Sequence, residues 1–129
     1  MTCRLVLIFL CLSLFGCSDS YDDPVPLSES ELEEIRGYFQ FARDISPQQD
    51  SQVMEKWARS CALCHVAGEG GAPRMGDSEA WAPRLSGGQA SLFVHTIEGF
   101  NRMPPLGYCM DCENEDFAVM IEFMSGGTK

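Results

Sequence analysis

Between Ser60 and Pro73 the chain reads SCALCHVAGEGGAP, and five residues of it, Cys61-Ala62-Leu63-Cys64-His65, limit what the rest can be. Two thiols three positions apart, followed directly by an imidazole, suit three chemistries: covalent attachment of a haem, half of a zinc site, or a redox-active dithiol. A second pair, Cys109-Met110-Asp111-Cys112, lies further along. A zinc ribbon uses all four cysteines and usually carries strands, and a thiol-disulfide exchanger wants its pair at the head of a helix beside a parallel sheet. The surrounding sequence therefore has to discriminate.

The N-terminus bears on the choice. One basic residue, Arg4, precedes an apolar run from Leu5 to Phe15. Crossing a bilayer takes about 20 apolar residues, so residues 1–16 read as a secretory signal peptide. Leu14-Phe15-Gly16-Cys17 has the form of a bacterial lipobox, in which Cys17 takes the lipid and becomes the new N-terminus. Residues 17–27 then form an acidic tether, too poor in core residues to fold alone. Export leaves four of the seven cysteines, Cys61, Cys64, Cys109 and Cys112, in an oxidising compartment where an idle pair tends to oxidise. Loss of Arg4 takes the net charge from −10 to −11. A chain so acidic is a poor partner for nucleic acid. It offers no polybasic grip on a membrane either, so membrane contact rests on the lipid.

Residues 28–47 read as an amphipathic helix. Ser28 caps it, Glu31 completes a capping box, and Leu27 and Leu32 stand where a hydrophobic staple needs them. Leu32, Ile35, Phe39 and Ala42 recur at helical spacing, and Pro47 ends the run. The apolar face is expected to pack on the domain that follows, residues 48–129. There a second helix is expected from Ser51, capped by Asp50, to about Cys64, with Val53, Trp57 and Cys61 on one face. A loop rich in Gly and Pro comes next. Ser78 to Arg84 suits a short helical turn limited by Pro83. Residues 89–98 form a helix that aligns Phe93, Ile97 and Phe100 and ends at Gly99. The last helix, 114–125, carries Phe117, Met120, Ile121 and Met124. No strand pair is visible, so the fold class is all-α. Short helices and long loops over about 80 residues make a poor self-sufficient core, a shortage that a staple or a large apolar cofactor resolves.

An exported helical chain with C-x-x-C-H favours the haem. Cys61 and Cys64 are then the thioether anchors, and His65 is the proximal iron ligand. The sixth ligand has to come from Met54, Met75, Met103, Met110, Met120, Met124 or His95. Met103 stands out because it lies just past a helix and before Pro104 and Pro105, in a loop with little freedom to lose. A thioether there raises the reduction potential relative to a second imidazole. Met120 and Met124 read as core filler, and His95 as a packed or surface histidine.

From about Trp57 to Met124 the chain resembles the cytochrome c5 group of class I c-type cytochromes. CALCH, GAPRMGD, AWAPRL, IEGFNRMPP and CMDC occur in the family's order. The resemblance implies short helices wrapped around one covalent haem c, with His65 and Met103 on the iron and Cys109 and Cys112 in a disulfide. It implies that the Pro73 carbonyl accepts a hydrogen bond from His65, as supporting partners of metal-bound histidines do. It places Trp81 and Arg84 at cofactor-binding positions, with Arg84 as partner of a haem propionate. Trp57 and Phe123 fall where the domain's first and last helices cross. Tyr108 departs from the family, which often has Gly there, and the N-terminal helix lies outside the resemblance.

The function implied is that of a non-enzymatic one-electron carrier in the periplasm, passing electrons between redox partner proteins and lipid-anchored to a bacterial membrane. One alternative is a haem-bearing subunit or docking module of a larger membrane redox complex. The other is a haem sensor or peroxidase, which needs the labile iron position that Met103 fills. A zinc ribbon leaves His65 and the Met-Pro-Pro loop without a role.

Overall fold

The computed structural model describes residues 25–126. The expected signal peptide, Cys17 and most of the expected tether lie outside the described residues. The first helix, α1 (Glu29–Asp44), starts where its capping box dictates: Ser28 Oγ accepts from the Glu31 N–H, and a Glu31 carboxylate oxygen accepts from the Ser28 N–H at 2.8 Å. It is followed by α2 (Pro47–Arg59), α3 (Ala62–His65), α4 (Ser78–Leu85), α5 (Gly88–Glu98) and α6 (Asn114–Ser125). Two 3-10 turns, Glu69–Gly71 and Pro105–Tyr108, lie in the loops. Among the described residues the only β pairing is an isolated bridge between Phe100 and Met103. The chain is all-α.

Three boundaries differ from the sequence reading. Pro47 opens α2 rather than merely ending α1, because a proline at the first helical position gives up an N–H that has no helical partner anyway. Its cap is Ser46, whose hydroxyl accepts from the Gln49 N–H, and not Asp50. At its other end α2 does not run through to Cys64. Ser60 leaves helical geometry (φ −127°, ψ −88°), its hydroxyl donates to the Lys56 carbonyl, and α3 starts afresh. Finally, Pro83 lies inside α4 without ending it; Asp77 caps that helix by accepting from the Ala80 N–H at 3.1 Å.

The core is organised on α6, in which every residue from Asp116 to Glu122 is buried. α1, α2 and α5 all pack against it. From α1, Ile35, Phe39 and Ala42 are buried, and Phe93 of α5 meets Tyr38 in a stack (5.4 Å) and Phe39 edge-on (6.4 Å). Burying side chains of this size contributes about 1.5–3 kcal/mol each, so α1 is an integral layer. Polar groups tie the same helices: Asn114 donates to the Tyr38 hydroxyl, and the buried Glu122 is paired with Arg43 at 3.6 Å and accepts from Gln89 at 2.6 Å. Where α2 crosses α6, Trp57 and Phe123 meet edge-on at 5.0 Å, and Lys56 pairs with Asp116 at 2.5 Å. The Trp57 indole N–H is buried there without a partner. This framework holds α3, α4 and the 100–112 loop around a cavity.

Candidate functional site

α3 is one turn long, and its hydrogen bonds set the spacing of its side chains: the His65 N–H reaches the Cys61 carbonyl at 2.9 Å and the Cys64 N–H reaches it at 3.2 Å. Cys61 and His65 are buried and Cys64 is half-buried. Cys61 Sγ lies 3.7 Å from Met120 Sδ of α6, and burial pushes its thiol above the ordinary range. His65 Nδ1 donates to the Pro73 carbonyl at 2.8 Å, which leaves Nε2 as the ring nitrogen with a free lone pair. Burial is the main reason its pKa is lowered; the Pro73 bond opposes that shift and the nearby Arg84 charge adds to it.

Trp81, on α4, is buried against the His65 ring, with centroids 5.8 Å apart, and donates its Nε1–H to the Arg74 carbonyl at 2.8 Å. Arg84, one turn further on, is half-buried and donates to the Ala80 carbonyl.

The loop after α5 is built around Met103. The Phe100 N–H donates to the Met103 carbonyl at 3.0 Å, and the Met103 N–H donates back at 2.8 Å. Gly99 (φ 85°) makes this approach possible, since a Cβ there would sit 2.9 Å from the Met103 carbonyl oxygen. Gly107 is similarly closed in: a Cβ would lie 3.5 Å from Met103 Cε and 3.7 Å from Cys61 Sγ, so the methionine methyl and the first thiol flank the same glycine. Beyond it, the Cys109 and Cys112 sulfurs are at bonding distance with Cα atoms 5.4 Å apart. Arg59, at the end of α2, grips Asp111 of that loop with two hydrogen bonds, 2.9 and 2.6 Å.

Cys61, Cys64, His65, Pro73, Trp81, Arg84 and Met103 all line one cavity of about 390 Å³. Leu92, Phe100, Ile121 and Met124 supply apolar wall, while Leu63 and Tyr108, 62% and 70% exposed, stand at its mouth. His95, read from the sequence as a packed or surface histidine, is half-buried and stacked on Phe100 at 4.1 Å, and it also lines the same cavity, which that reading did not include. Burial lowers its pKa, and Glu98 partly opposes this. The available signal was the i, i+3, i+4 spacing of Leu92, His95 and Thr96, all three in the cavity wall. Met54, Met75, Met110 and Met120 do not line the cavity.

Residues 48–124 match the family described as cytochrome c oxidase, cbb3-type, subunit III. Cytochrome c5 of Ectopseudomonas mendocina is 42% identical over 71 residues, covering 54% of this chain and 82% of that protein. Cytochrome c5 of Azotobacter vinelandii is 41% identical over 71 residues, 54% of this chain and 86% of that protein. The chain belongs to the cytochrome c5 group of class I c-type cytochromes. Cytochrome c-555 of Chlorobaculum tepidum is similar too, at 35% identity over 74 residues, 54% of this chain and 68% of that protein. As a c-type cytochrome the chain carries covalent haem c and transfers electrons; it is not an enzyme. Its cavity suits that group: the volume lies within the roughly 300–1,000 Å³ of small-molecule sites, two thiols and an oriented imidazole sit on one short turn, and a thioether lies in the same wall.

Proposed function

We propose that this cytochrome is a one-electron carrier with a single haem, anchored through Cys61 and Cys64, ligated by His65 and Met103, and tethered to a bacterial membrane by lipid on Cys17. The observation that carries this reading is the convergence of both thiols, the free Nε2 of His65 and the Met103 thioether on one largely apolar cavity. When bound, haem supplies an iron that takes up and returns one electron. The Pro73 carbonyl fixes the His65 tautomer and directs Nε2 to the metal. Met103, held by its two-way pairing with Phe100, would supply the second protein ligand to the iron, a thioether that would raise its potential. With His65 and Met103 both holding the iron, a bound haem would offer no open site to a substrate. Leu92, Phe100, Ile121 and Met124 keep water from the ring. Arg84, in the cavity wall, is the proposed partner of a haem propionate. Cys109 and Cys112 form a structural disulfide in this reading.

Residues 1–16 are then the signal peptide, 17–27 the tether, 28–47 the added helix and 48–129 the haem domain. Cytochromes of this group are generally periplasmic, and a lipid on Cys17 keeps the carrier near membrane-bound redox partners and raises its effective concentration there. The description of the matching family supports a second reading, a haem-bearing subunit of a larger complex. The free carrier is favoured because the apolar face of α1 is already covered by α5 and α6 of its own chain.

The test is an absorption spectrum of the matured protein, oxidised and reduced, with its mass. One added haem that survives acid-acetone extraction, and a weak sulfur-to-iron band in the ferric state, are expected. A haem that washes out, or bound zinc, would overturn the reading.

A further inference from the structure

Four consecutive residues, Pro73 to Gly76, each commit a main-chain group to one of three residues, His65, Trp81 and Met124. The Pro73 carbonyl accepts from His65 Nδ1 at 2.8 Å and the Arg74 carbonyl from Trp81 Nε1 at 2.8 Å. The Met75 N–H donates to the His65 carbonyl at 2.8 Å, and the Gly76 N–H to the Met124 carbonyl at 2.9 Å. The segment is a strap laid across the His65 side of the cavity. Only the first two of these bonds involve side chains, and they leave from adjacent carbonyls.

Trp81 meets His65 twice. Its ring lies along the imidazole, 19° between planes, and its N–H holds the carbonyl next to the one that orients Nδ1. An indole has a single donor. That donor is engaged by Arg74, so Trp81 has none to offer a carboxylate of the cofactor. Its own backbone is anchored in the first turn of α4, where its N–H donates to the Asp77 carbonyl at 3.0 Å.

We propose that Trp81 is a positioning residue for the iron ligand His65, acting through the Arg74 and Pro73 carbonyls and through its ring face, and not a hydrogen-bond partner of haem. This rests on His65 being the ligand. A firmly held carbonyl strengthens the Nδ1–H···O bond and makes the imidazole a better donor to the metal, which favours the ferric state. Without the indole N–H the Arg74 carbonyl keeps only its bond from the Asp77 N–H at 3.1 Å, so the carbonyl beside it is held less firmly, its bond to Nδ1–H weakens and the potential rises.

The experiment compares native holoprotein with Trp81→Phe, which keeps a ring but removes the N–H. Two quantities are read: hydrogen exchange of the His65 Nδ1 proton by NMR in the reduced protein, normalised to backbone amides of α6, and the reduction potential. Losing one hydrogen bond predicts Nδ1 exchange on the order of tenfold faster than the α6 amides report, with a higher potential. A merely structural role would speed all amides together and leave the normalised rate unchanged.

If Trp81→Phe fails to fold, benzothienylalanine in place of tryptophan keeps the shape and removes the N–H. The chain has two tryptophans, and the other, Trp57, has no N–H partner to lose, so global replacement breaks only the Arg74 bond. An unchanged normalised exchange rate and potential in these proteins would overturn the proposal. A native spectrum without imidazole ligation would instead overturn the reading on which it rests.

Discussion

The two sides of the cavity are held by different means. On the His65 side the chain turns through glycines: Gly68, Gly70, Gly71 and Gly76 all have positive φ, and no other residue type between 61 and 85 does. The strap 73–76 then fastens the imidazole with hydrogen bonds that reach no further than Trp81 and Met124. On the Met103 side, Asn101 (φ 53°), Leu106 (58°) and Tyr108 (64°) occupy the left-handed region without being glycine. Such residues cost of order 1–3 kcal/mol each and persist where surrounding structure over-determines them. Here that structure is two prolines, the Phe100–Met103 pairing, the Cys109–Cys112 pair and the Arg59–Asp111 grip. The proposed ligand His65 is fixed by relaxed backbone and hydrogen bonds, the proposed ligand Met103 by contacts that hold a strained loop shut.

The comparison breaks most visibly at His65. Replacing it, His65→Ala, should abolish accumulation of haem-bearing protein, seen as loss of the haem-stained band. Met103→Ala should leave the haem attached, remove the sulfur-to-iron band and lower the potential by more than about 59 mV, a tenfold change for one electron. If Met110→Ala does this and Met103→Ala does not, the distal assignment is wrong. Converting Cys109 and Cys112 together to serine should loosen only the Met103 side. The loop between them is short, so the cost should sit at the low end of the disulfide range, about 2 kcal/mol. Denaturant midpoints measure it, and two reactive thiols in the native unreduced protein would deny the bond altogether.

The smallest effect expected is a pH dependence at His95. Burial lowers its folded-state pKa below the unfolded value near 6.5. The unfolded chain therefore binds more protons there, and stability present above pH 6.5 is lost as pH falls through the folded pKa. His95→Gln should lose less stability than the native protein between pH 7.5 and 5, as followed by thermal midpoints. Equal losses would deny the linkage.

Much of this was legible beforehand, and the misses have particular causes. The α1 capping box, the C-x-x-C-H turn and the stiff Met-Pro-Pro loop are local signals, and local geometry follows them. Pro47 was ambiguous because proline both ends one helix and opens the next; only the Ser46 cap resolves it. The break at Ser60 was invisible because Val53, Trp57 and Cys61 keep a helical period through it, while the Ser60 hydroxyl turns back to Lys56. The place of His95 in the cavity wall was not foreseen because its partner, Phe100, lies beyond the end of the helix and meets it only when the loop folds back. Trp81 was assigned to the cofactor wall, where it does lie, but where its N–H points depended on a tertiary contact.

α6, the last helix among the described residues, is the one on which the others rest. Until α6 docks, Ile35, Phe39 and Val53 have no central surface to cover them, and Cys61 lacks the Met120 sulfur that lies over it. Contacts of such long sequence separation form late, once the connecting chain has closed its loops. A chain in which α6 has not yet docked thus has its thiol pair present but not shut in. Undocked α6 leaves Cys61 and Cys64 reachable, and its docking shuts Cys61 in.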